Sequence, residues 1–290
     1  MATITIVGPG AIGGTVAAWL AQDSRHRVAV GARTPFSRIE VETPYGVIES
    51  EPLVMTDPAQ GSPVDWVLVA TKAYDVAGGA VWLERLCGAD TLVAVLQNGV
   101  EHVERFAPYL PVERILPVMV DCPAERLSPG RIRQRGTARM SVPQCAAGET
   151  FVDLFAHTRI EVAQSADFKT EVWKKLCYNS AGALSAVLLK PAVIARHDGV
   201  AEVMRGIVRE CVAVGRAEGA LLDDSLVEKV VTGYRNAPPD SVNSLHADRI
   251  AGRPMETDAR NGVIVRLGRN HGIPTPLNST VVALLEATQG

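Results

Sequence analysis

The sequence predicts an α/β fold in two parts, a doubly wound parallel sheet followed by an all-helical domain, and three observations predict it. In the first half, short β-rich runs alternate with helical stretches. After about Gln164 the texture changes to helical apolar spacing with few strand signals. The first strand also runs directly into closely spaced glycines that open an Ala-rich helix, the join of a Rossmann-type dinucleotide-binding domain. The expected organisation is therefore an N-terminal Rossmann-type domain over 1–165 and an all-helical C-terminal domain over 166–290.

The elements follow in order. Thr3–Val7 reads as an apolar strand, and Gly8-x-Gly10-x-x-Gly13 follows it. The first glycine permits the tight turn, the second admits a pyrophosphate to the backbone, and the third lets helix and strand pack closely. The helix from Ala11 to about Ala21 then presents orphan N–H groups, at Ala11, Ile12 and Gly13, and its positive dipole end to an anion. Arg27–Gly31 is the next strand. An acidic residue at its end would hold the ribose hydroxyl of NAD, but the chain offers Ala32, Arg33 and Thr34. A guanidinium matches a 2′-phosphate, so Arg33 predicts NADP, set against the plainer reading of a solvated loop arginine. Asp65–Ala70 and Thr91–Leu96 are continuous apolar runs suited to strands covered on both faces, with a helix over Val76–Leu86 between them. Tyr45–Thr56 and Arg131–Val142 read as extended segments that add antiparallel strands to the sheet. Beyond the boundary, 170–189, 199–219, 225–234 and 260–272 carry helical spacing, and Pro254 suits the first turn of a further helix.

Composition narrows the function classes. The 290 residues are 47% apolar and 21% charged, enough for two cores. A net charge of −3 and no basic run interleaved with aromatics argue against nucleic acid and against an anionic membrane surface. Five scattered cysteines without a C-x-x-C pair point to reduced thiols in a cytoplasm, with no metal site. No segment reaches the ~18 uncharged apolar residues of a spanning helix.

Candidate site residues lie where strands deliver their carboxyl ends. Thr71-Lys72 follows one strand and Gln97-Asn98-Gly99 another. Asn98 can bond the nicotinamide ribose or a substrate, although Asn-Gly also simply makes turns, and Lys72 can meet cofactor charge or be solvated. In Trp173-Lys174-Lys175-Leu176-Cys177-Tyr178-Asn179, Lys175 and Asn179 stand four apart beside an apolar stripe. A lysine there can be a proton donor near neutral pH, while composition alone favours surface charge for both lysines. Glu256 and Asp258 suit a helix dipole; alternatively Glu256 accepts from a substrate hydroxyl and Ser244 donates to a substrate carboxylate.

Taken in order, these pieces resemble the ketopantoate reductases, together with Ser244 twelve residues before Glu256, Asn261-Gly262, and His271-Gly272-Ile273-Pro274-Thr275-Pro276. The resemblance covers essentially the whole chain. It implies NADPH-dependent reduction of 2-dehydropantoate to (R)-pantoate on the pantothenate and coenzyme A route. It makes Lys175 the general acid and Glu256 the residue that binds the substrate hydroxyl and orients Lys175. Asn98, Asn179 and Ser244 become substrate contacts. One position departs: Ala183 stands where the family often has a second asparagine, which leaves the identity of the 2-keto acid open. The substrate is expected between the sheet edge and the helical domain, with closure excluding water. Apolar faces of the helical domain make a homodimer an expected assembly. The alternatives are an NADPH-dependent reductase of another small 2-keto acid and a non-catalytic NADP-binding sensor; a hydroxyacyl-CoA dehydrogenase is disfavoured by the lack of a His-Glu signature.

Overall fold

The computed structural model describes residues 1–289, and the chain clusters into two units, Met1–Phe168 and the remainder from Lys169. The first unit runs β1 (Ala2–Val7), α1 (Ala11–Leu20), β2 (His26–Gly31), β3 (Ile39–Thr43), β4 (Gly46–Ser50), β5 (Leu53–Met55), β6 (Val64–Val69), α2 (Val76–Leu86), β7 (Cys87–Val95), α3 (His102–Phe106), β8 (Ile115–Pro117), β9 (Met119–Asp121), β10 (Ala124–Ser128), β11 (Arg131–Gln134), β12 (Arg139–Pro143), α4 (Ala146–Leu154) and β13 (Glu161–Ser165).

Six strands pair in parallel in the order β5-β2-β1-β6-β7-β8. The order reverses between β1 and β6, which is the place where open sheets of this kind bind ligands. Side chains alternate between two cores. Ile4, Ile6, Trp66, Leu68, Ala94 and Leu96 join the core that holds α1, whereas Val7, Val67, Val69, Val93 and Val95 join that of α2 and α3.

The segments Tyr45–Thr56 and Arg131–Val142 do not add antiparallel strands to this sheet. Within them only β5 joins it, parallel to β2. The strands β10-β11-β3-β4 form a second sheet, and β13-β12-β9 a third. The reason lies in α1, which is buried from Gly13 to Leu20 and so needs cover on its outer side. The second sheet gives that cover through Ile39, Val41 and Ile132, and Trp19 donates its indole N–H to Gln134 at 2.9 Å.

The second unit is helical: α5 (Phe168–Ala181), α6 (Ala183–Leu188), α7 (Asp198–Ala217), α8 (Ser225–Asn236), α9 (Ser244–Ile250), α10 (Val263–Asn270) and α11 (Pro276–Glu286), with a π turn over Asp258–Gly262 leading into α10. Helix α7 buries Met204, Ile207, Val208, Cys211 and Gly215 and turns Glu202 and Arg209 outward as an ion pair. Trp173 of α5 lies so close to Gly215 that a Cβ there would sit 2.8 Å from the indole. Pro254 does not begin a helix. Arg253 donates its N–H to Asp248 and Met255 donates to the Gln289 side chain at 2.8 Å, so the backbone is committed elsewhere and helix begins at Thr257.

Candidate active site

The glycine turn is built as an anion cradle. Gly8 has φ +87°, and a Cβ on it would lie 2.8 Å from the Thr71 nitrogen. A Cβ on Gly13 would lie 2.4 Å from the Gly8 carbonyl, so that glycine is required by the protein's own packing. Gly10 differs: its nearest heavy atom would be 4.0 Å away, so no protein atom excludes a side chain there. No side chain caps α1 and no acidic residue sits in its first turn, which leaves the N–H groups of Ala11, Ile12 and Gly13 for an incoming anion. A dinucleotide pyrophosphate fits this arrangement.

The strand tips beside it are tied together. The Gln97 side chain donates to Thr71 Oγ1 at 3.0 Å and to the Lys72 carbonyl at 3.3 Å, joining the ends of β6 and β7. His102, buried, donates through Nε2 to the Gln97 carbonyl at 2.9 Å, and Arg105 donates to the Asn98 carbonyl at 2.8 Å. These two positioning residues escaped the sequence reading, because a histidine and an arginine one and two turns beyond an Asn-Gly carry no motif. Arg33 is 89% exposed, with its Nη1 3.6 Å from an Asp75 carboxylate oxygen. An ion pair this exposed is weak and yields readily to a phosphate.

In the second unit, α5 separates two adjacent lysines. Lys174 is exposed, whereas Lys175 and Asn179 are half-buried on a common face beside the buried Trp173, Leu176 and Ser180. Ser244 opens α9 and is exposed; Glu256, 4% exposed, immediately precedes the helix that starts at Thr257. The π turn brings in a residue that the sequence reading passed over. Arg260, 3% exposed, donates from Nη2 to Ser244 Oγ at 2.7 Å. Burial lowers the guanidinium's pKa, and the negative fields of Glu256 and Asp248 oppose that shift. Ser244, Arg260 and Glu256 thus form one polar cluster. The available signal was the four-residue spacing from Glu256 to Arg260.

Other conspicuous residues have structural work. Asn261 donates to the Ser180 carbonyl at 3.2 Å and to Asn278 Oδ1 at 2.9 Å, linking the π turn to α5 and α11. Gly272, at φ +66°, closes α10 with a Schellman pair, Ile273 N–H to the Gly268 carbonyl and Gly272 N–H to that of Arg269. Ala183 is fully buried at the start of α6. No helix among the described residues is long and apolar enough to cross a membrane.

Comparison with known proteins agrees across the whole chain. Residues 4–147 match the family profile described as ketopantoate reductase PanE/ApbA, and residues 167–289 match that family's C-terminal profile. The chain is 58% identical over 287 residues to the 2-dehydropantoate 2-reductase of Caulobacter vibrioides, covering 99% of each chain. It is 42% identical to that of Mycobacterium tuberculosis, covering 99% of this chain and 98% of the relative. A solved PanE/ApbA family ketopantoate reductase from Ralstonia eutropha superposes with TM-score 0.91 at 30% identity, over 99% of this chain and 98% of the other.

Proposed function

The chain belongs to the ketopantoate reductase family, and on that premise we propose that it reduces 2-dehydropantoate to (R)-pantoate with NADPH, a step toward pantothenate and coenzyme A. One observation carries the reading: 58% identity over 99% of both chains with a relative named for this reaction. The residue types support it. When bound, the dinucleotide supplies a hydride for the C2 carbonyl. Gly8, Gly10 and the N–H groups of Ala11, Ile12 and Gly13 hold its pyrophosphate, with Lys72 and Asn98 at the strand tips, while Arg33 takes the 2′-phosphate.

Lys175 stabilises the charge that grows on the ketone oxygen and donates a proton to it from Nζ. Its half-buried setting keeps bulk water from competing for that charge. Glu256 accepts from the substrate hydroxyl and orients the lysine, Ser244 donates to the carboxylate, and the amides of Asn98 and Asn179 complete the polar contacts. The alternative of a different small 2-keto acid is tested in the same assay. NADPH oxidation is followed with ketopantoate and a panel of 2-keto acids, scored by kcat/KM. Ketopantoate is expected to rank first; a higher rank for another acid replaces the substrate, and no turnover of any removes the reductase reading. A homodimer is the proposed assembly, with exposed Leu188, Leu189 and Val193 as apolar surface for it, and light scattering measures the mass.

A further inference from the structure

We propose that Arg260 is a positioning residue for the substrate carboxylate: it fixes Ser244 as a hydrogen-bond donor and brings a buried positive charge to that corner of the site. The inference rests on the reading above that Ser244 meets the carboxylate of a 2-keto acid.

Three observations carry it. Arg260 Nη2 lies 2.7 Å from Ser244 Oγ. A guanidinium has donors and no acceptor, so the serine oxygen must accept and its own proton must point to another group. Because Ser244 is exposed, that proton is available to a ligand. Second, Arg260 is 3% exposed, and its Nε and Nη1 have no partner among the described residues. A buried cation with two unmet donors is an expensive way merely to hold a serine, since an apolar side chain of similar volume packs at lower cost. Third, the anions around it are already engaged or shared. Asp248 is paired with Arg253 at 2.9 Å, while Tyr234, a neutral phenol that donates its hydroxyl to the Tyr178 carbonyl at 2.9 Å, offers no counter-charge. The field of the buried Glu256 also reaches the same guanidinium and is shared with the rest of the site. A second anion beside Ser244 is therefore favoured by the uncompensated part of the charge. The ligand class this selects is a small carboxylate, as in 2-keto acids.

The test is a double-mutant cycle on the full chain, Arg260→Met, Ser244→Ala and both, with kcat and KM measured for ketopantoate and for NADPH. Arg260→Met is expected to raise the ketopantoate KM by about tenfold or more while kcat moves by less than about threefold and the NADPH KM is unchanged. In the Ser244→Ala background the same substitution is expected to add less than about threefold, because the residue it positions is gone. Arg260→Lys, which keeps the charge and a donor, is expected to recover part of the loss. Calorimetric titration of pantoate into the NADP+-loaded protein gives the same ranking without turnover. An active wild type with an unmoved KM in Arg260→Met, or fully multiplicative effects in the double variant, overturns this inference alone. A wild type inactive on every 2-keto acid overturns the proposed function and this inference with it. If Arg260→Met fails to fold, Arg260→Lys and Arg260→Gln decide: equal KM values for the two exclude a role for the charge.

Discussion

Lys174 and Lys175 are neighbours in the chain with opposite surroundings, and the helix decides between them: one side chain is exposed, the other half-buried beside Asn179. Lys175→Ala is expected to lower kcat by about two or more orders of magnitude with NADPH binding retained, whereas Lys174→Ala leaves kcat within about twofold. Near-normal turnover of Lys175→Ala would show the acid to be another group. The glycines separate in the same way. Gly13→Ala forces a Cβ against the Gly8 carbonyl and is expected to lower Tm without ligand; Gly10→Ala meets only open space and leaves that Tm nearly unchanged. Gly10→Ala is nonetheless expected to abolish the stabilisation that NADP+ gives the wild type, about 2.7 kcal/mol at a hundredfold excess over Kd, and with it the rise in Tm. A preserved rise would remove the pyrophosphate from this turn. At Arg33, replacement by Asp is expected to erase a preference for NADPH over NADH, read as the ratio of their KM values; an unchanged ratio assigns the phosphate elsewhere.

At the scale of elements, α11 is secured through its first turn. Glu210 of α7 accepts from the backbone N–H groups of Leu277 and Asn278, each at 2.9 Å, and from the Asn278 side chain at 2.7 Å. Asn278 in turn accepts from Asn261 in the π turn, so three helical segments share one buried network. Glu210→Ala leaves those donors unmet and is expected to cost about 1–3 kcal/mol in urea unfolding. A loss below about 0.5 kcal/mol would mean that solvent satisfies them. The same network gives Asn261-Gly262, one of the motifs of the family resemblance, its part in the fold as a tie between helices. A Cβ at Gly262 would approach the Asp258 carboxylate to 2.9 Å within the π turn.

For the molecule as a whole, acid stability has a definite sign. His246 is 2% exposed, and burial, followed by the nearby Arg249 charge, lowers its pKa, so its neutral form persists to lower pH in the folded state than in the unfolded chain. The unfolded chain takes up a proton there below about pH 6.5 that the folded chain takes up only at lower pH. Stability from this group is therefore present above pH 6.5 and declines as pH falls toward the folded value. Thermal melts from pH 7 to 5 are expected to fall more steeply for the wild type than for His246→Leu; parallel curves would acquit the residue. At lower pH, Asp23 adds a second loss. The Arg25 side chain that hydrogen-bonds to it holds its carboxyl far below the usual carboxylate range, so its contribution persists down to about pH 4 and disappears below.

Much of this was legible in one dimension. The strands β1, β2, β6 and β7 and the helices α1, α2, α5, α7 and α8 follow from apolar runs and periods set by near neighbours in the chain, and so does the strand-glycine-helix join. The short helix α9 and the capped α11 were not read, because their caps, Asn243 and Glu210, act through specific geometry. What pairs with what was decided only in three dimensions. Alternation marks β3, β4 and β11 as one-sided strands but does not say that α1 needs covering. An arginine's default place is the surface, and only the π turn buries Arg260 and sets it against Ser244, sixteen residues away. Local sequence determined the elements and the glycine turn, since both depend on bonds within a few residues. The tertiary structure decided the polar cluster, since burial and charge pairing depend on which distant segments meet.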